Sequence, residues 1–185
     1  MGVVMKWVTK DFVHLDRVAC PWLIKRFIDP DASFVFVPWG DEHLRPADAI
    51  PFAIAGTELG PHDAAGTTFD KLLRKYDLND PALAAIAGII RAGVDFVLHQ
   101  MRPAADNEHG QMAYGLLAIS EGMMLLKQPD AAIIDASLVV YDALYANFKA
   151  HHLVASRGLK LPPMEGKGPS RPTMFLRELL KEVKG

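Results

Sequence analysis

The chain has 185 residues, 50% of them apolar and 23% charged, which suits one globular domain and excludes a disordered chain, a coiled coil and a collagen-like repeat. Twenty Lys and Arg oppose 22 Asp and Glu for a net charge of −2, so there is no broad basic field and direct nucleic-acid binding is not expected. A single cysteine, Cys20, cannot close an internal disulfide and fits a reducing compartment.

The first eight residues, Met1 to Val8, carry no basic leader and no small-residue cleavage site, and their apolar stretch is too short for a signal core. Val3 to Val8, rich in β-branched and aromatic residues, predicts a short strand. Pro21 to Ile28 predicts a helix, with proline at its first turn and Asp29-Pro30 ending it. Ser33 to Val37 is a second strand, closed by Pro38, and the crossover places the two strands parallel. Pro51 to Ala55 adds a third strand. The rest of 38–66 is dense in Pro, Gly, Asp and His and reads as loop.

From Thr67 the pattern turns helical. Thr68 to Tyr76 sets Phe69, Leu72, Leu73 and Tyr76 on one side. Asp80-Pro81 is an N-cap followed by a first-turn proline, opening a helix that runs towards Gly93. Its apolar run, Ala82 to Ile90, stops at Arg91, far below the ~20 residues that span a bilayer. A soluble, cytoplasmic protein with no membrane partner is expected. The next helix starts near Asp106, where Asp106 to His109 form its cap. Its buried stripe is Met112, Leu116, Ile119, Met123 and Leu126. Asp130 caps a further helix, with Ile134, Leu138, Tyr141, Tyr145 and Phe148 inward. Residues 157–172 form a Pro/Gly connector. The final helix, with Phe175, Leu176, Leu179, Leu180 and Val183 on one side, docks on its own domain or on a neighbouring subunit as a homo-oligomer contact. The expected fold is α+β: a small N-terminal sheet with a βαβ start packed on a predominantly helical bundle. One domain spans 1–156, and 157–185 supply the connector and docking helix.

The segment His14-Leu15-Asp16-Arg17-Val18-Ala19-Cys20-Pro21-Trp22, continuing to Asp29-Pro30, resembles the opening motif of the bacterial chromate-resistance family, the C-terminal domain of ChrB-type proteins. The resemblance continues at Pro51-Phe52, Glu58-Leu59-Gly60 with His62, Phe69-Asp70, Asp80 to Leu83, Gly115 to Ser120 and Val140 to Tyr145. The chain departs from the family pattern at Phe52-Ala53 and in an extra segment, His99 to Gly110. The resemblance implies a role in chromate resistance but names no reaction. The N-terminal regulatory region of the longer members is not matched, so DNA-linked regulation is not carried over.

Placed just before Pro21, Cys20 is expected at or beside a helix N-terminus, where unpaired N–H groups and the helix dipole stabilise a thiolate or a bound anion. Arg17 adds a planar donor fork suited to tetrahedral dianions such as chromate and sulfate, and Trp22 borders the same loop. Arg17, Cys20 and Trp22 are therefore the candidate anion-binding residues. The alternative is that Cys20 is a small buried hydrophobe, Trp22 is core, and Asp16 and Arg17 pair to fix the loop.

Several histidines keep carboxylate company: His14 with Asp16, Glu58 with His62, Asp95 with His99, Asp106 with His109. Nitrogen and oxygen ligands suit a borderline divalent metal, Zn, Fe or Mn. No HExxH-like signature is present. The residues within family-like motifs, Asp16, His62 and Asp95, with Glu58 beside them, form the candidate metal set. Three functions compete. One is a chromate-resistance protein binding a small oxyanion or metal near Asp16, Arg17 and Cys20. Another is a metal-dependent enzyme on a small substrate, with Cys20 or Asp95 as candidate catalytic group and Asp95 or His62 as general base. The third is a helical interaction module.

Overall fold

Trp7, Val8 and Thr9 are fully buried between Lys6 and Lys10 and make strand β1 (Lys6–Lys10). A parallel strand covered on both faces is buried continuously rather than in alternation. The protein is described here by a computed structural model covering residues 5–104, 106–164 and 170–183. Strands β2 (Ser33–Val37) and β3 (Ile50–Pro51) flank β1 in the order β2-β1-β3, both parallel to it. Lys6 lies opposite Ser33, and Trp7 opposite both Phe34 and Ile50. The βαβ start is as expected, with shifted limits. The first strand runs on to Lys10, and the Val3-Val4 part of the expected strand lies outside the described residues. The third strand stops at Pro51 because Ala53 turns the chain with a φ of 53°.

Helix α1 (Asp16–Leu23) begins five residues before Pro21, so this proline sits in the helix interior and not in its first turn. An interior proline removes one backbone hydrogen bond and costs ~3 kcal/mol. Burial of Val18, Trp22 and Leu23, at ~1.5–3 kcal/mol each, outweighs that. The helix then widens into one π-turn over Ile24–Ile28, closed by the Asp29 N–H donating to the Ile24 carbonyl at 2.8 Å. Its start is made by Leu15, whose φ is 44° and whose N–H donates to Ser120 Oγ at 2.9 Å.

Helix α2 (Thr68–Lys75) opens with a capping box between Thr67 and Asp70. Helix α3 (Pro81–His99) is capped by Asp80, which accepts from the Ala82 N–H at 2.7 Å. It continues past Gly93 to His99 and stops at Gln100, in the left-handed region with φ 54°. Gly93 permits close approach of α3 to the α1 start: a Cβ there would stand 2.9 Å from Leu15 Cδ2. By length and composition α3 and the later α5 (Asp130–Ser156) could each cross a bilayer, but here both pack in the bundle.

Helix α4 (Glu108–Leu125) is capped by Asn107 within the expected segment. Its buried face differs from the expected stripe: Met112, Ile119 and Leu126 are exposed, while Gly110, Ala113, Leu116, Leu117 and Ser120 turn inward. At Gly110 the packing leaves no room for a side chain: a Cβ there would stand 2.2 Å from Pro103 Cβ. In α5 the expected face is found, with Ile134 and Tyr141 buried and Leu138, Tyr145 and Phe148 packed against the core. Asp130, however, caps nothing in its own helix. Its carboxylate accepts from the N–H groups of Phe12 (3.1 Å) and Val13 (2.8 Å), tying the loop after β1 to α5. Helix α6 (Arg171–Val183) docks on α5 of its own chain, with Leu179 buried and an Arg157–Glu182 ion pair at 3.1 Å. Residues 165–169 of the connector lie outside the described set.

The core joins α1, α2 and α5 through aromatic rings. Trp22 stacks on Tyr141 with centroids 5.7 Å apart and on Phe69 at 6.5 Å. Its indole N–H donates to Asp142 at 2.8 Å, and Asp142 also takes a bidentate pair of bonds from Arg26. The fold is α+β, a small sheet near the N-terminus packed on helices.

Candidate functional site

The end of β1, the loop that follows it, the α1 start and the facing parts of α3 and α4 enclose a cleft of ≈ 900 Å³. That is the size of a small-molecule site. Its walls are largely apolar, from Phe12, Leu15, Val94, Val97, Leu117 and Met124, and its polar lining comes from Lys10, His14, Asp16, Arg17, His62, Gln100 and Glu121. Four of the six non-glycine residues with positive φ among those described, Phe12, Leu15, Ala53 and Gln100, line this cleft. Such backbone costs on the order of 1–3 kcal/mol per residue and concentrates at functional sites.

Arg17 is held in place as a cation. Its guanidinium donates to the carbonyls of Lys10 (2.8 Å), Asp11 (2.7 Å) and Phe12 (2.8 Å). Among the described residues neither Arg17 nor Lys10 forms a contact ion pair, although Asp130, Asp11 and Asp16 act on Arg17 and Glu42 on Lys10 from further away. Both lie over the Trp39 indole, Lys10 Nζ at 3.7 Å from the ring centroid and the Arg17 guanidinium carbon at 5.0 Å. Burial, and then the Arg17 charge, lowers the pKa of Lys10; burial lowers that of Arg17 against the opposing charges of Asp130, Asp11 and Asp16. His14 is likewise pushed down by burial and by Arg17, with Glu121 acting the other way.

The other expected anion-binding residues are elsewhere. Cys20 lies in the second turn of α1, fully buried, so neither the helix N-terminus nor solvent reaches its sulfur. Its thiol donates to Asp16 Oδ1 at 3.4 Å, and burial followed by the Asp16 charge holds it protonated, well above the ordinary thiol range. Trp22 has no exposed surface and its N–H is taken by Asp142, so it cannot touch a ligand in the cleft. Asp16 does not pair with Arg17 as a loop clamp. Its carboxylate accepts from the first N–H groups of α2, Thr68 at 3.0 Å and Phe69 at 3.1 Å, in the manner of a cap supplied from another helix. Burial raises its pKa and these hydrogen bonds oppose the rise.

Of the expected metal set, the structure joins His62 and Asp95 and leaves out the other two. Asp16 is occupied as described, and Glu58 forms an exposed ion pair with Lys75. His99 takes the third place: one donor atom each from His62, Asp95 and His99 lie within 4.8 Å of one another. The His62 Nε2 is 3.6 Å from Asp95 Oδ1, and the two imidazole centroids are 6.0 Å apart. The signal for His99 was its four-residue spacing from Asp95, which puts both on one helix face. Lys10, Trp39 and Glu121 carried no local signature.

An α+β domain opening on this His-x-Asp-Arg helix start is a defined class: the family model for the ChrB C-terminal domain matches residues 7–148, and the chain belongs to that family. The match spans every residue that lines the cleft. Among curated proteins, Protein ChrB of Cupriavidus metallidurans (strain ATCC 43123 / DSM 2839 / NBRC 102507 / CH34) is 31% identical over 149 residues. The similarity covers 78% of this chain and 41% of that protein, so the chain spans well under half the length of this relative. No solved structure matches the chain.

Proposed function

We propose that this chain acts in chromate resistance as a ligand-binding domain whose cleft seats a tetrahedral oxyanion against Lys10 and Arg17. The observation that carries the reading is the pair of partly buried cations at one cleft wall, with no carboxylate in ion-pairing contact among the described residues. The Arg17 charge disfavours that of Lys10, and a dianion between them relieves that repulsion while accepting charge-assisted hydrogen bonds. Arg17 is oriented in advance by its three carbonyls, so little side-chain entropy is lost on binding. Cys20 has no part in the site. Family membership supports the physiological role, and the cleft supports the ligand class.

Calorimetric titration with chromate, and with sulfate as a redox-inert analogue, tests the reading. Wild-type protein should bind both saturably, more weakly at higher salt. Lys10→Ala should weaken binding about tenfold or more, because a hydrogen bond to a charged group is worth ~1.5–3 kcal/mol. Trp39 is 57% exposed whereas Trp7 and Trp22 are fully buried, so sulfate should alter indole emission in the wild type and not in Trp39→Phe. Equal affinity in wild type and Lys10→Ala, or no binding at millimolar anion, overturns it.

A further inference from the structure

His62 is a half-buried imidazole with an unsatisfied ring. Its Nδ1 is buried with no hydrogen-bond partner, and its Nε2 stands 3.6 Å from Asp95, beyond hydrogen-bonding distance. An ordinary His–Asp pair would have closed to about 2.9 Å. Beside this pair, at the last residue of α3, His99 adds a second imidazole on the exposed side.

Two imidazoles and one carboxylate are the donor set of an open divalent-cation site, in which water or substrate takes the remaining position. Zinc bonds of ~2.0–2.2 Å put tetrahedral donors roughly 3.3–3.5 Å apart. The His62–Asp95 separation is already close to that. His99, exposed on the final turn, can close the rest by side-chain rotation. Asp95 and His99 share the last turns of α3, while His62 comes from the loop before α2 and also lines the cleft.

We propose that His62, Asp95 and His99 bind a borderline divalent cation, Zn²⁺ being the type, with its open coordination positions directed to the cleft. Only the last clause rests on the anion-binding reading; the cation site stands on its own donors. A cation there adds a second positive centre to the cleft and offers a bound anion a direct ligand bond.

The experiment uses the full chain, stripped with EDTA and titrated with Co²⁺ under visible absorption, and with Zn²⁺ by calorimetry. One cation per chain should bind, with the intense ligand-field bands of a low-coordinate Co²⁺ centre. Loss of groups that merely orient metal ligands costs 10- to 100-fold in affinity, so Asp95→Asn and His99→Ala should each lose at least about 100-fold. Both positions are partly or fully exposed, so these variants are expected to fold. His43→Ala, which removes an imidazole away from the cluster, should bind as the wild type does. Binding unchanged in Asp95→Asn and His99→Ala overturns the site, as does a wild-type affinity no tighter than theirs. Sulfate added to the Co²⁺-loaded protein should shift the bands; an unaltered spectrum overturns the cleft-facing coordination. Sulfate titration of the stripped protein separates the two readings. Sulfate binding without cation binding removes the metal site alone, and cation binding without sulfate binding removes the Lys10–Arg17 seat alone.

Discussion

Cys20 shows how one position in the chain changes meaning with the start of a helix. Had α1 begun at Pro21, its thiol would have met free N–H groups and a positive dipole end. With α1 beginning at Asp16, the sulfur instead sits in the core against a carboxylate, and both burial and the Asp16 charge favour the protonated thiol. The folded pKa is raised, so over the pH range in which an unfolded thiol ionises, near 8.5, the native thiol stays neutral. Native protein should therefore react with an aromatic disulfide reagent far more slowly than urea-unfolded protein. Raising the pH from 7 to 9 should accelerate the unfolded reaction by well over tenfold and leave the native one slow. Rapid native reaction at pH 8, matching the unfolded rate, would show that Cys20 is open to solvent and reactive.

At the scale of elements, Asp16 joins α1 to α2. Its carboxylate takes two N–H groups at the start of α2 and the Cys20 thiol. Asp16→Ala leaves two buried donors unpaired at on the order of 1–3 kcal/mol each, partly offset by removal of a desolvated charge. Chemical denaturation should show a loss of about 2–4 kcal/mol. Glu58→Ala, which breaks only an exposed pair with Lys75, should stay within ~1 kcal/mol of wild type. A loss at Asp16 as small as that at Glu58 would mean the inter-helix cap is not a stabilising contact. The same elements show what can be read from sequence. The Asp80-Pro81 start was legible because cap and proline act within a few residues, and the βαβ start because short β-branched runs flank a helix. The α1 start was not, since its signal is the left-handed Leu15 with an N–H satisfied by Ser120, 105 positions away. The inner face of α4 was hidden for a related reason: it includes the small residues Gly110, where a Cβ would stand 2.2 Å from Pro103 Cβ, and Ala113, which a search for large apolar residues passes over. Of the candidate site, Arg17, His62 and Asp95 were legible through motif and acid–histidine spacing. Their neighbours Lys10, Trp39 and Glu121 come from three separate segments, and only the fold brings them together.

In the whole molecule, the family match ends at residue 148, inside α5, and the cleft is complete without anything beyond that helix. Helix α6 is an added layer, fixed to α5 by buried Leu179, by half-buried Phe175, Leu176 and Leu180, and by the Arg157–Glu182 pair. A buried leucine is worth ~1.5–3 kcal/mol and an exposed ion pair ~0–1 kcal/mol. Removing residues 157–185 should therefore cost about 2–4 kcal/mol, a fall in Tm of roughly 4–16 °C for a domain of this size. The shortened chain should keep its helical circular dichroism, and its anion and cation affinities should stay within about twofold of the full chain. Size-exclusion chromatography decides where α6 acts. If its contact with α5 is made within each chain, truncation changes the elution only by the lost mass. A shift from a larger assembly to a monomer would show that the helix reaches a second copy, making the exposed flank of α5 a subunit contact.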